Sequence, residues 1–310
     1  MNSNILVLGY GAVGKATVVR LLAEGHKVTV AQRSRPKDLP QEAQFVTCDV
    51  LDFVLLNEAA KSASQIVVAL GFKYDGKVWR DVWPRAMANI IESCTQGGQR
   101  IVFIDNLYMY GPQTTPLRED MPLSNYGAKP AIRADVTKLW LAAAAAGQIK
   151  IAALRAPDFY GPHVELSLWG PESLGAIAKG KAGRIPMPLN IPHDFAYVPD
   201  IARAVVTLLD ADDDAYGQAW HVPVAPTRTA QELINIAEQH LGRKVKVSSM
   251  PPLMLKLLGL FIPFIREFNE MNFNFDKPYQ VDTRKFSKRF WSDATPFEAG
   301  VGATVDSFKM

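Results

Sequence analysis

Three glycines follow the first apolar run of the chain, Ile5–Leu8, at a spacing suited to phosphate binding. Gly9 permits a tight turn, Gly11 lets a pyrophosphate approach the backbone, and Gly14 lets the next helix pack closely on the strand. Because N–H groups at a helix N-terminus attract anions, we interpret this loop as a dinucleotide site rather than as a simple turn. The residues expected to bind the dinucleotide here are Gly9, Gly11, Ala12, Val13 and Gly14.

A second polar group follows the apolar run Val28–Ala31. A site selective for NAD usually has a carboxylate there, about 20 residues after the glycines, to bind the ribose hydroxyls. The chain has Gln32, Arg33, Ser34 and Arg35 instead, so no carboxylate would repel a 2′-phosphate and several groups can donate to one. The sequence predicts a preference for NADP, with NAD also possible, and Arg33, Ser34 and Arg35 as its ligands. The alternative is that both arginines are solvated loop charges.

Short apolar runs that do not alternate with polar residues recur through the first half of the chain. Such runs are typical of parallel strands buried on both faces. Between them lie segments with helical spacing, the first of which ends at Gly25. This repeat predicts an α/β fold with a doubly wound parallel sheet of the Rossmann type. The predicted strands are Ile5–Leu8, Val28–Ala31, Phe45–Cys48, Ile66–Leu70, Ile101–Ile104 and Ile151–Leu154.

The pattern changes near Asp158, where prolines and glycines become frequent. We interpret most of the later chain as a smaller, mixed cap lobe that binds the substrate. Part of it returns to the sheet, because Ala196–Leu209 is typical of a packed helix and Ala219–Pro223 of a strand. The expected dinucleotide-binding domain covers residues 1–157 and roughly 196–222. The expected cap lobe covers residues 158–195 and 223–310, and its C-terminal end returns to the main domain.

The composition excludes several classes of protein. The chain has 310 residues, of which 48% are hydrophobic and 21% charged, and its net charge is +3. This is typical of a globular protein, and the charge is too small to predict a nucleic-acid partner. The most apolar stretch, residues 250–265, is shorter than the roughly 20 residues that a membrane span needs. We interpret it as a buried or interfacial segment and expect no membrane partner.

Cysteine and histidine are too sparse to predict a metal site. Cys48 and Cys94 give neither a disulfide framework nor a metal spacing, and both are interpreted as core residues. His163 and His193 have no further ligands at metal spacing. Because the N-terminus leads into the first strand without the features of a cleaved leader, we expect a cytoplasmic protein.

Further motifs are spread along almost the whole chain: Cys48-Asp49-Val50, Ala69-Leu70-Gly71, Asn89, Tyr110-Gly111-Pro112, residues 155–162, residues 193–202 and Asp282-Thr283-Arg284. Together with the glycine loop they resemble the short-chain dehydrogenase/reductase superfamily, in its extended branch of NAD-dependent epimerases and dehydratases. The resemblance implies an acidic contact to the adenine, a loop that contacts the cofactor ribose, and an asparagine on the central helix. The implied cofactor contacts are Asp49, Val50, Ala69, Leu70, Gly71, Asn89, Lys129 and Pro157.

The catalytic residues that the resemblance implies are a Tyr, a Lys four residues later on the same helix, and a Ser or Thr that holds the substrate oxygen. In that arrangement the ammonium group stabilises a phenolate and binds the cofactor ribose. This chain departs from the pattern, because Lys129 follows Tyr126 one residue too early. Counting back from Arg155 puts Lys129 at the Tyr position and Arg133 at the Lys position. Asn106 stands at the Ser or Thr position, where its amide can hydrogen-bond a carbonyl but cannot relay a proton.

Three mechanisms follow from these departures. In the first, Tyr126 is the acid after all, and Lys129 lies near enough to stabilise its phenolate. In the second, Tyr108 replaces the missing acid from the opposite side, and Lys129 or Arg133 binds the nicotinamide ribose. In the third, hydride chemistry has been lost and the fold only binds the dinucleotide. Either tyrosine is otherwise a packing residue at the rim of the site.

Substrate contacts are expected in the cap lobe. In family members that act on nucleotide-sugars, the motif matching residues 155–162 carries an Asn that meets the diphosphate, and this chain has Asp158 there. A carboxylate facing a diphosphate costs on the order of 1 kcal/mol or more, so we expect a small non-nucleotide substrate. Aromatic and methionine side chains of the lobe suit a mainly apolar ligand or form the core of the lobe. The expected substrate contacts are Asp158, His163, Trp169 and His193.

The expected function is that of an NADP-dependent oxidoreductase that transfers hydride to or from a carbonyl or alcohol carbon of a small molecule. One alternative is an epimerase or dehydratase that retains its cofactor. Another is a non-catalytic protein that senses NADP. The resemblance also implies a homodimer, through helices such as Trp83–Cys94 and Ala131–Ala146.

Overall fold

The computed structural model of the chain describes residues 3–249 and 252–309, so residues 250 and 251 of the apolar stretch lie outside the described part. The strands are β1 (Asn4–Leu8), β2 (Lys27–Gln32), β3 (Gln44–Thr47), β4 (Gln65–Val68), β5 (Arg100–Asp105), β6 (Lys150–Arg155), β7 (Phe159–Tyr160), β8 (Gly183–Ile185), β9 (Pro192–His193), β10 (Ala196–Tyr197), β11 (Gln218–His221), β12 (Arg228–Thr229) and β13 (Val247–Ser249). The α-helices are α1 (Ala12–Ala23), α2 (Phe53–Ala60), α3 (Gly76–Gly97), α4 (Lys129–Ala145), α5 (Ala176–Ala178), α6 (Val198–Leu209), α7 (Ala230–Leu241), α8 (Pro252–Gly259), α9 (Pro263–Asn269), α10 (Arg284–Arg289) and α11 (Phe297–Ser307).

Seven strands form one sheet in the order β11-β6-β5-β4-β1-β2-β3. The strands β1 to β6 pair in parallel, with β1 between β2 and β4. The chain order therefore reverses at the β1/β4 pair, and in doubly wound sheets ligands bind beside the carboxyl ends of the strands at such a point. The predicted α/β fold is confirmed, and each of the six predicted apolar runs corresponds to one of the strands β1 to β6. The segments Ala219–Pro223 and Ala196–Leu209 correspond to β11 and α6.

The helices α3 and α4 cover part of the sheet with large apolar side chains. Trp83 and Ile90 of α3 and Trp140 of α4 are all buried in a cluster with the sheet. Both cysteines belong to the same cluster and are free thiols. Burial raises the pKa of Cys48 to about 11 and that of Cys94 to about 12, so neither thiol is reactive at neutral pH.

The chain divides into two compact units. Unit 1 consists of Met1–Met109, Leu123–Arg155 and Ile201–Trp220, and it carries the sheet. Unit 2 consists of Tyr110–Pro122, Ala156–Asp200 and His221–Met310. The domains expected from the sequence were defined by what they bind, whereas these units are defined by packing. The expected domain boundaries therefore stay a prediction.

Unit 2 is built from short strand pairs and helices. The strands β7 and β10 pair in parallel, as do β8 and β13, whereas β9 and β12 are antiparallel. The helix α7 begins with a capping box between Thr229 and Glu232, and it packs against α11. A Cβ on Gly300 of α11 would lie 2.5 Å from the Tyr160 hydroxyl, so only glycine lets α11 approach β7 this closely. Among the described helices of the whole chain, none is long and apolar enough to cross a membrane.

A buried group of three charges joins α4 to the ends of β5 and β6. Arg133 of α4 donates to Asp105, the last residue of β5. Arg155, the last residue of β6, pairs with the same carboxylate at 3.7 Å. All three side chains are buried, and the guanidinium carbon of Arg133 lies 4.1 Å from the centre of the Trp83 ring. We name Asp105, Arg133 and Arg155 the buried charge network; it holds the first turns of α4 against the carboxyl edge of the sheet.

We expect Asp105→Ala to lower the free energy of unfolding by about 3–5 kcal/mol, because removal of the carboxylate breaks the buried ion pair with Arg133. Urea unfolding followed by circular dichroism measures the change. The matched control is Asp81→Ala, which breaks the exposed pair between Asp81 and Arg85 and is expected to cost less than about 1 kcal/mol. Equal effects of the two substitutions would show that the network does not stabilise unit 1.

Candidate cofactor and active site

The glycine loop lies where the carboxyl ends of β1 and β4 meet. Gly9 has a φ of +96°, and a Cβ there would lie 2.6 Å from the carbonyl oxygen of Ala69. The Gly9 N–H donates to the carbonyl of Ala31 at 3.0 Å, which ties the loop to β2. A Cβ on Gly14 would collide with the carbonyl oxygen of Gly9. Glycine is therefore required at both positions for α1 to begin directly above these strands.

Gly11, unlike Gly9 and Gly14, has open space beside it. Apart from its chain neighbours, none of the described residues lies within 4 Å of the point that its Cβ would occupy. It is the N-cap of α1 with a φ of −75°, and no described side chain caps the first N–H groups of that helix. The first turn of α1 contains no acidic residue, so the positive end of the helix dipole faces an open cradle. This cradle fits a pyrophosphate, which the N–H groups of Ala12 and Val13 would help to bind.

Gln32 ends β2 at the position where an NAD-selective site has its carboxylate. Its Oε1 accepts the Tyr10 N–H at 3.1 Å, and its Nε2 donates to the Ser34 carbonyl at 2.8 Å. The amide thereby links the glycine loop to the loop after β2. Because an amide is neutral, it holds this geometry without the charge that would repel a phosphate.

The loop after β2 presents cations to solvent. Arg33 and Arg35 are both exposed, and the guanidinium carbon of Arg35 lies 5.7 Å from the centre of the Phe45 ring. Asp38, further along this loop, pairs with Lys15 of α1 at 2.6 Å. The two arginines can therefore bind an anion beside the end of β2.

The remaining cofactor residues expected in unit 1 follow the ends of β3 and β4. The carboxylate of Asp49 accepts the Leu51 N–H at 3.0 Å. Asn89 of α3 donates to the Val50 carbonyl at 2.9 Å, so it holds the loop after β3 in position. Leu70 is partly buried, and a Cβ on Gly71 would meet no described atom within 4 Å. The expected ligands of the adenosine half thus lie at one edge of the sheet, and their roles stay predictions.

Asn106 and Tyr108 follow β5 directly at the same edge. The Oδ1 of Asn106 accepts the Tyr108 N–H at 3.0 Å and fixes a 3₁₀ turn over Tyr108–Tyr110. Both side chains are partly buried. With its oxygen used by the turn, the Asn106 amide has an NH₂ group that can donate to a substrate oxygen.

Two aromatic rings, those of Trp79 and Tyr74, lie between Tyr108 and Lys129. The Tyr74 and Trp79 ring centres are 5.5 Å apart, and the Trp79 and Tyr108 rings stack with centres 6.3 Å apart. The Nζ of Lys129, at the first residue of α4, lies 4.8 Å from the centre of the Tyr74 ring. Lys129 is fully buried. We name Tyr74, Trp79 and Tyr108 the aromatic cluster; it connects a phenol and an ammonium group at the carboxyl edge of the sheet.

The start of α3 positions one wall of this cluster. The carboxylate of Asp75 accepts the N–H groups of Lys77 and Val78 at 2.9 and 3.2 Å. The hydrogen bonds from Val78 and Lys77 hold the pKa of Asp75 below its ordinary value, which keeps the helix cap charged at neutral pH. Trp79 lies in the first turn that this cap fixes.

Tyr126 and Arg133 have different environments. Tyr126 is 46% exposed and lies in the turn before α4, where its N–H donates to the Ser124 hydroxyl at 3.0 Å. Arg133 belongs to the buried charge network with Asp105. Arg133, which stands where the family pattern has its Lys, therefore has its charge paired with Asp105 inside unit 1.

Two of the residues expected to contact the substrate form a pair in unit 2. The His193 Nε2 lies 3.0 Å from the Asp158 Oδ2. The imidazole of His193 is fully buried and lies between rings, with centres 4.5 Å from Phe195 and 4.6 Å from Tyr279. The Asp158 side chain is 23% exposed, so the aromatic surroundings orient the histidine and the histidine orients a carboxylate that solvent can reach.

The other residues of unit 2 that are expected to bind the substrate or the cofactor have separate environments. Trp169 is fully buried and packs edge-on against Phe195 with ring centres 5.5 Å apart, as a core residue does. His163 is exposed and has a φ of +60°. Pro157 is buried directly after the end of β6. Their roles in binding stay predictions, as do those of Asp158 and His193.

The sequence did not indicate Tyr74, Trp79 or Asp105. Tyr74 follows the end of β4 by six residues, and Asp105 immediately precedes Asn106. The position of both residues after or at the carboxyl end of a predicted strand was a signal that could have found them. Within the described residues, no group of three or more His, Cys, Asp or Glu side chains is arranged to hold a metal ion.

The reversal of strand order at β1, the open cradle at Gly11 and the polar residues at one sheet edge define a Rossmann-type dinucleotide-binding protein. The chain belongs to the NAD-dependent epimerase/dehydratase family, whose model matches residues 5–222. A comparison with curated proteins finds no match. The family match confirms the expected family and an enzyme of the oxidoreductase or epimerase type that uses a nicotinamide dinucleotide.

Solved structures share this fold over nearly the whole chain. The UDP-glucuronic acid 4-epimerase of Bacillus cereus in complex with NAD is 17% identical, with a TM-score of 0.79 over 99% of this chain and 98% of that one. The dTDP-glucose 4,6-dehydratase of Bacillus anthracis str. Ames in complex with NAD is 18% identical, with a TM-score of 0.79 over 99% and 96%. The UDP-glucose 4-epimerase of Thermus thermophilus in complex with NAD is 19% identical, with a TM-score of 0.76 over 99% and 99%. At such identity the similarity is one of fold.

We expect Gly11→Val to abolish binding of the dinucleotide while the protein stays folded, because the new side chain fills the cradle and meets no neighbour. The measurement is the rise in melting temperature on addition of NAD or NADP. The free energy of unfolding without cofactor is expected to change by less than about 1 kcal/mol. Gly14→Ala is the contrasting variant and loses stability as well, because its Cβ collides with the Gly9 carbonyl. A cofactor-induced rise that persists in Gly11→Val would contradict the cradle.

Proposed function

We propose that this chain is an NADP-dependent oxidoreductase that transfers hydride to or from a carbonyl or alcohol carbon of a small, non-nucleotide substrate. The observation that carries the proposal is the aromatic cluster, which links the Tyr108 phenol to the Lys129 ammonium group beside Asn106. These groups stand at the same sheet edge as the glycine cradle. The nicotinamide, when bound, supplies or accepts the hydride.

The proton chemistry is proposed for Tyr108. The Asn106 NH₂ group donates to the substrate oxygen and stabilises the negative charge that develops on it. The Tyr108 hydroxyl gives a proton to that oxygen in reduction and takes it back in oxidation. Lys129 supplies the positive charge that binds the nicotinamide ribose, because the charge of Arg133 is already paired with Asp105.

The preference for NADP is supported by the end of β2. Gln32 stands there as a neutral residue, and Arg33 and Arg35 are exposed beside it. Charge-assisted hydrogen bonds from guanidinium groups are well suited to a 2′-phosphate.

The substrate class is supported by the pair of Asp158 and His193. A half-buried carboxylate accepts hydrogen bonds from hydroxyl or ammonium groups and repels a diphosphate. We therefore propose a small molecule with a hydroxyl or cationic group, rather than a nucleotide-sugar.

A second candidate is an epimerase or dehydratase that retains its cofactor, and membership of the family favours it. Such an enzyme returns the hydride to the same molecule, so the purified protein would carry bound dinucleotide and show no net consumption of it. The third candidate is a protein that senses NADP without turnover. Steady consumption of NADPH with any member of a panel of small carbonyl compounds would exclude both.

We further propose a cytoplasmic homodimer. The two cysteines are buried and are not joined by a disulfide, which suits a reducing compartment. On α4, Leu139 and Leu141 are exposed at 40% and 38%, and a second copy of this helix would cover them. Light scattering tests the assembly, and a monomer at working concentration would overturn it.

We expect the double variant Arg33→Ala/Arg35→Ala to raise the Kd for NADPH at least about tenfold, because one or more hydrogen bonds from a charged group to the phosphate are lost. The Kd for NADH is expected to stay within about twofold, because NADH has no 2′-phosphate. Fluorescence titration measures both. Lys138→Ala, which removes an exposed cation paired with Asp135 on α4, is the control for net charge. Equal losses for NADPH and NADH would contradict the assignment of NADP.

We expect Tyr108→Phe to lower kcat by about 10²–10⁴-fold at nearly unchanged affinity for NADPH, because proton transfer by a positioned side chain contributes this much. Tyr126→Phe is the matched control and is expected to lower kcat by less than about threefold, because its ring is largely solvated. Stopped-flow and steady-state oxidation of NADPH measure both variants. A large loss in Tyr126→Phe alone would transfer the role of acid to Tyr126, and turnover that survives both changes would exclude a tyrosine acid.

A further inference from the structure

The helical hairpin formed by α8 and α9 exposes several large apolar side chains. At and beside the turn of the hairpin, Leu257, Leu260, Phe261 and Ile262 are 56%, 72%, 84% and 42% exposed, and Met254 of α8 is 43% exposed. Isolated apolar residues are common on protein surfaces, but a contiguous group of them marks an interaction site. We name these five residues the apolar tip.

The two helices of the hairpin pack against each other. Leu255 of α8 is buried at 3% exposure. Asn269 at the end of α9 donates to the Leu255 carbonyl at 2.8 Å. A Cβ on Gly259 would lie 3.3 Å from the Cα of Arg266, which shows how closely the two helices approach. The hairpin therefore has a buried position at Leu255 and an exposed apolar tip.

The chain that leads into this hairpin is basic. The parallel strands β8 and β13 pair Arg184 with Ser248, and the Gly183 N–H donates to the Lys246 carbonyl at 2.8 Å. The segments 179–185 and 242–249 contain no carboxylate, and the same is true of the sequence from 242 to 266. Lys244 is paired with Glu238 at 2.8 Å. The exposed cations of the two segments, which we name the basic strip, are Lys179, Lys181, Arg184, Arg243, Lys244 and Lys246.

We propose that the apolar tip and the basic strip of unit 2 bind the surface of an anionic lipid bilayer. The apolar tip enters the boundary between headgroups and acyl chains, and the basic strip contacts the anionic headgroups. Charge complementarity favours this occupant over a second copy of the chain, because an isologous contact would bring two basic strips together. The sequence led us to expect no membrane partner because no segment is long enough to span a bilayer. A surface contact needs no span, and it fits the interpretation of residues 250–265 as an interfacial segment.

Sedimentation of the full chain with vesicles tests the proposal. We expect binding to vesicles of phosphatidylcholine with phosphatidylserine and little binding to phosphatidylcholine alone. Added salt is expected to weaken the binding, because the screening length falls from about 10 Å at 0.1 M to about 3 Å at 1 M. The readout is vesicle binding rather than turnover, so it succeeds or fails independently of the proposed reaction.

Two variants separate the contributions of the tip and the strip. Leu257→Asp/Leu260→Asp is expected to lower the partition coefficient at least about tenfold, because charged residues replace apolar area that enters the lipid. Lys181→Ala/Arg184→Ala/Lys246→Ala is expected to lower it about 100-fold, since each cation near an anionic surface contributes roughly fivefold. Val54→Asp is the matched control: Val54 is 73% exposed on α2 of unit 1, and its variant is expected to bind as the unchanged chain does.

Circular dichroism and urea unfolding verify that each variant is folded before its partition is compared. Equal binding to neutral and anionic vesicles, or no binding to either, would overturn the proposal. So would unchanged binding in both variants. A dimer in light scattering that Leu257→Asp/Leu260→Asp converts to a monomer, without vesicle binding by the unchanged chain, would assign the tip to contact between copies instead.

Discussion

The backbone segments that follow β1 and β4 approach each other closely, and the expected cofactor site of unit 1 depends on this constraint. Gly9 adopts a φ of +96° with the Ala69 carbonyl 2.6 Å from the position of its missing Cβ. Any side chain there would separate the two strands or displace the loop. The approach brings the N-terminus of α1 to the point where strand order reverses, so the open cradle at Gly11 and the residues after β3, β4 and β5 lie at the carboxyl ends of neighbouring strands of unit 1.

The departures from the family's catalytic pattern are physically linked rather than independent. An arginine at the expected Lys position is long enough to reach Asp105, and it pairs there in the buried charge network. Its charge is then paired inside unit 1. Lys129, one turn earlier on α4, lies at the Tyr74 ring instead. A lysine therefore stands where the family pattern has its Tyr, and the turn that Asn106 fixes after β5 carries Tyr108. In the proposed mechanism these two residues share the roles of the missing pair.

The sheet was predictable from the sequence because burial on both faces leaves a local signal, an apolar run without alternation. The glycine loop was predictable for the same reason, since strand, turn and helix are adjacent in the chain. The contact between Tyr74 and Lys129 was not, because 55 residues separate them and the loop that carries Tyr74 has no periodicity. Asp105 and Arg133 are separated by 28 residues, and only the tertiary fold brings the carboxyl end of β5 to the first turns of α4.

The aromatic residues of unit 2 show why composition is weak evidence for a substrate. Trp169 is fully buried against Phe195, whereas Phe261 is 84% exposed, so rings that the sequence presents alike serve as core in one case and surface in the other. Neither environment is that of a pocket wall. The chemistry of the substrate is therefore better inferred from Asp158, whose carboxylate is oriented by the buried imidazole of His193. A carboxylate held in this way accepts hydrogen bonds and repels anions whatever the apolar area around it, and for this reason the proposed substrate carries a hydroxyl or cationic group.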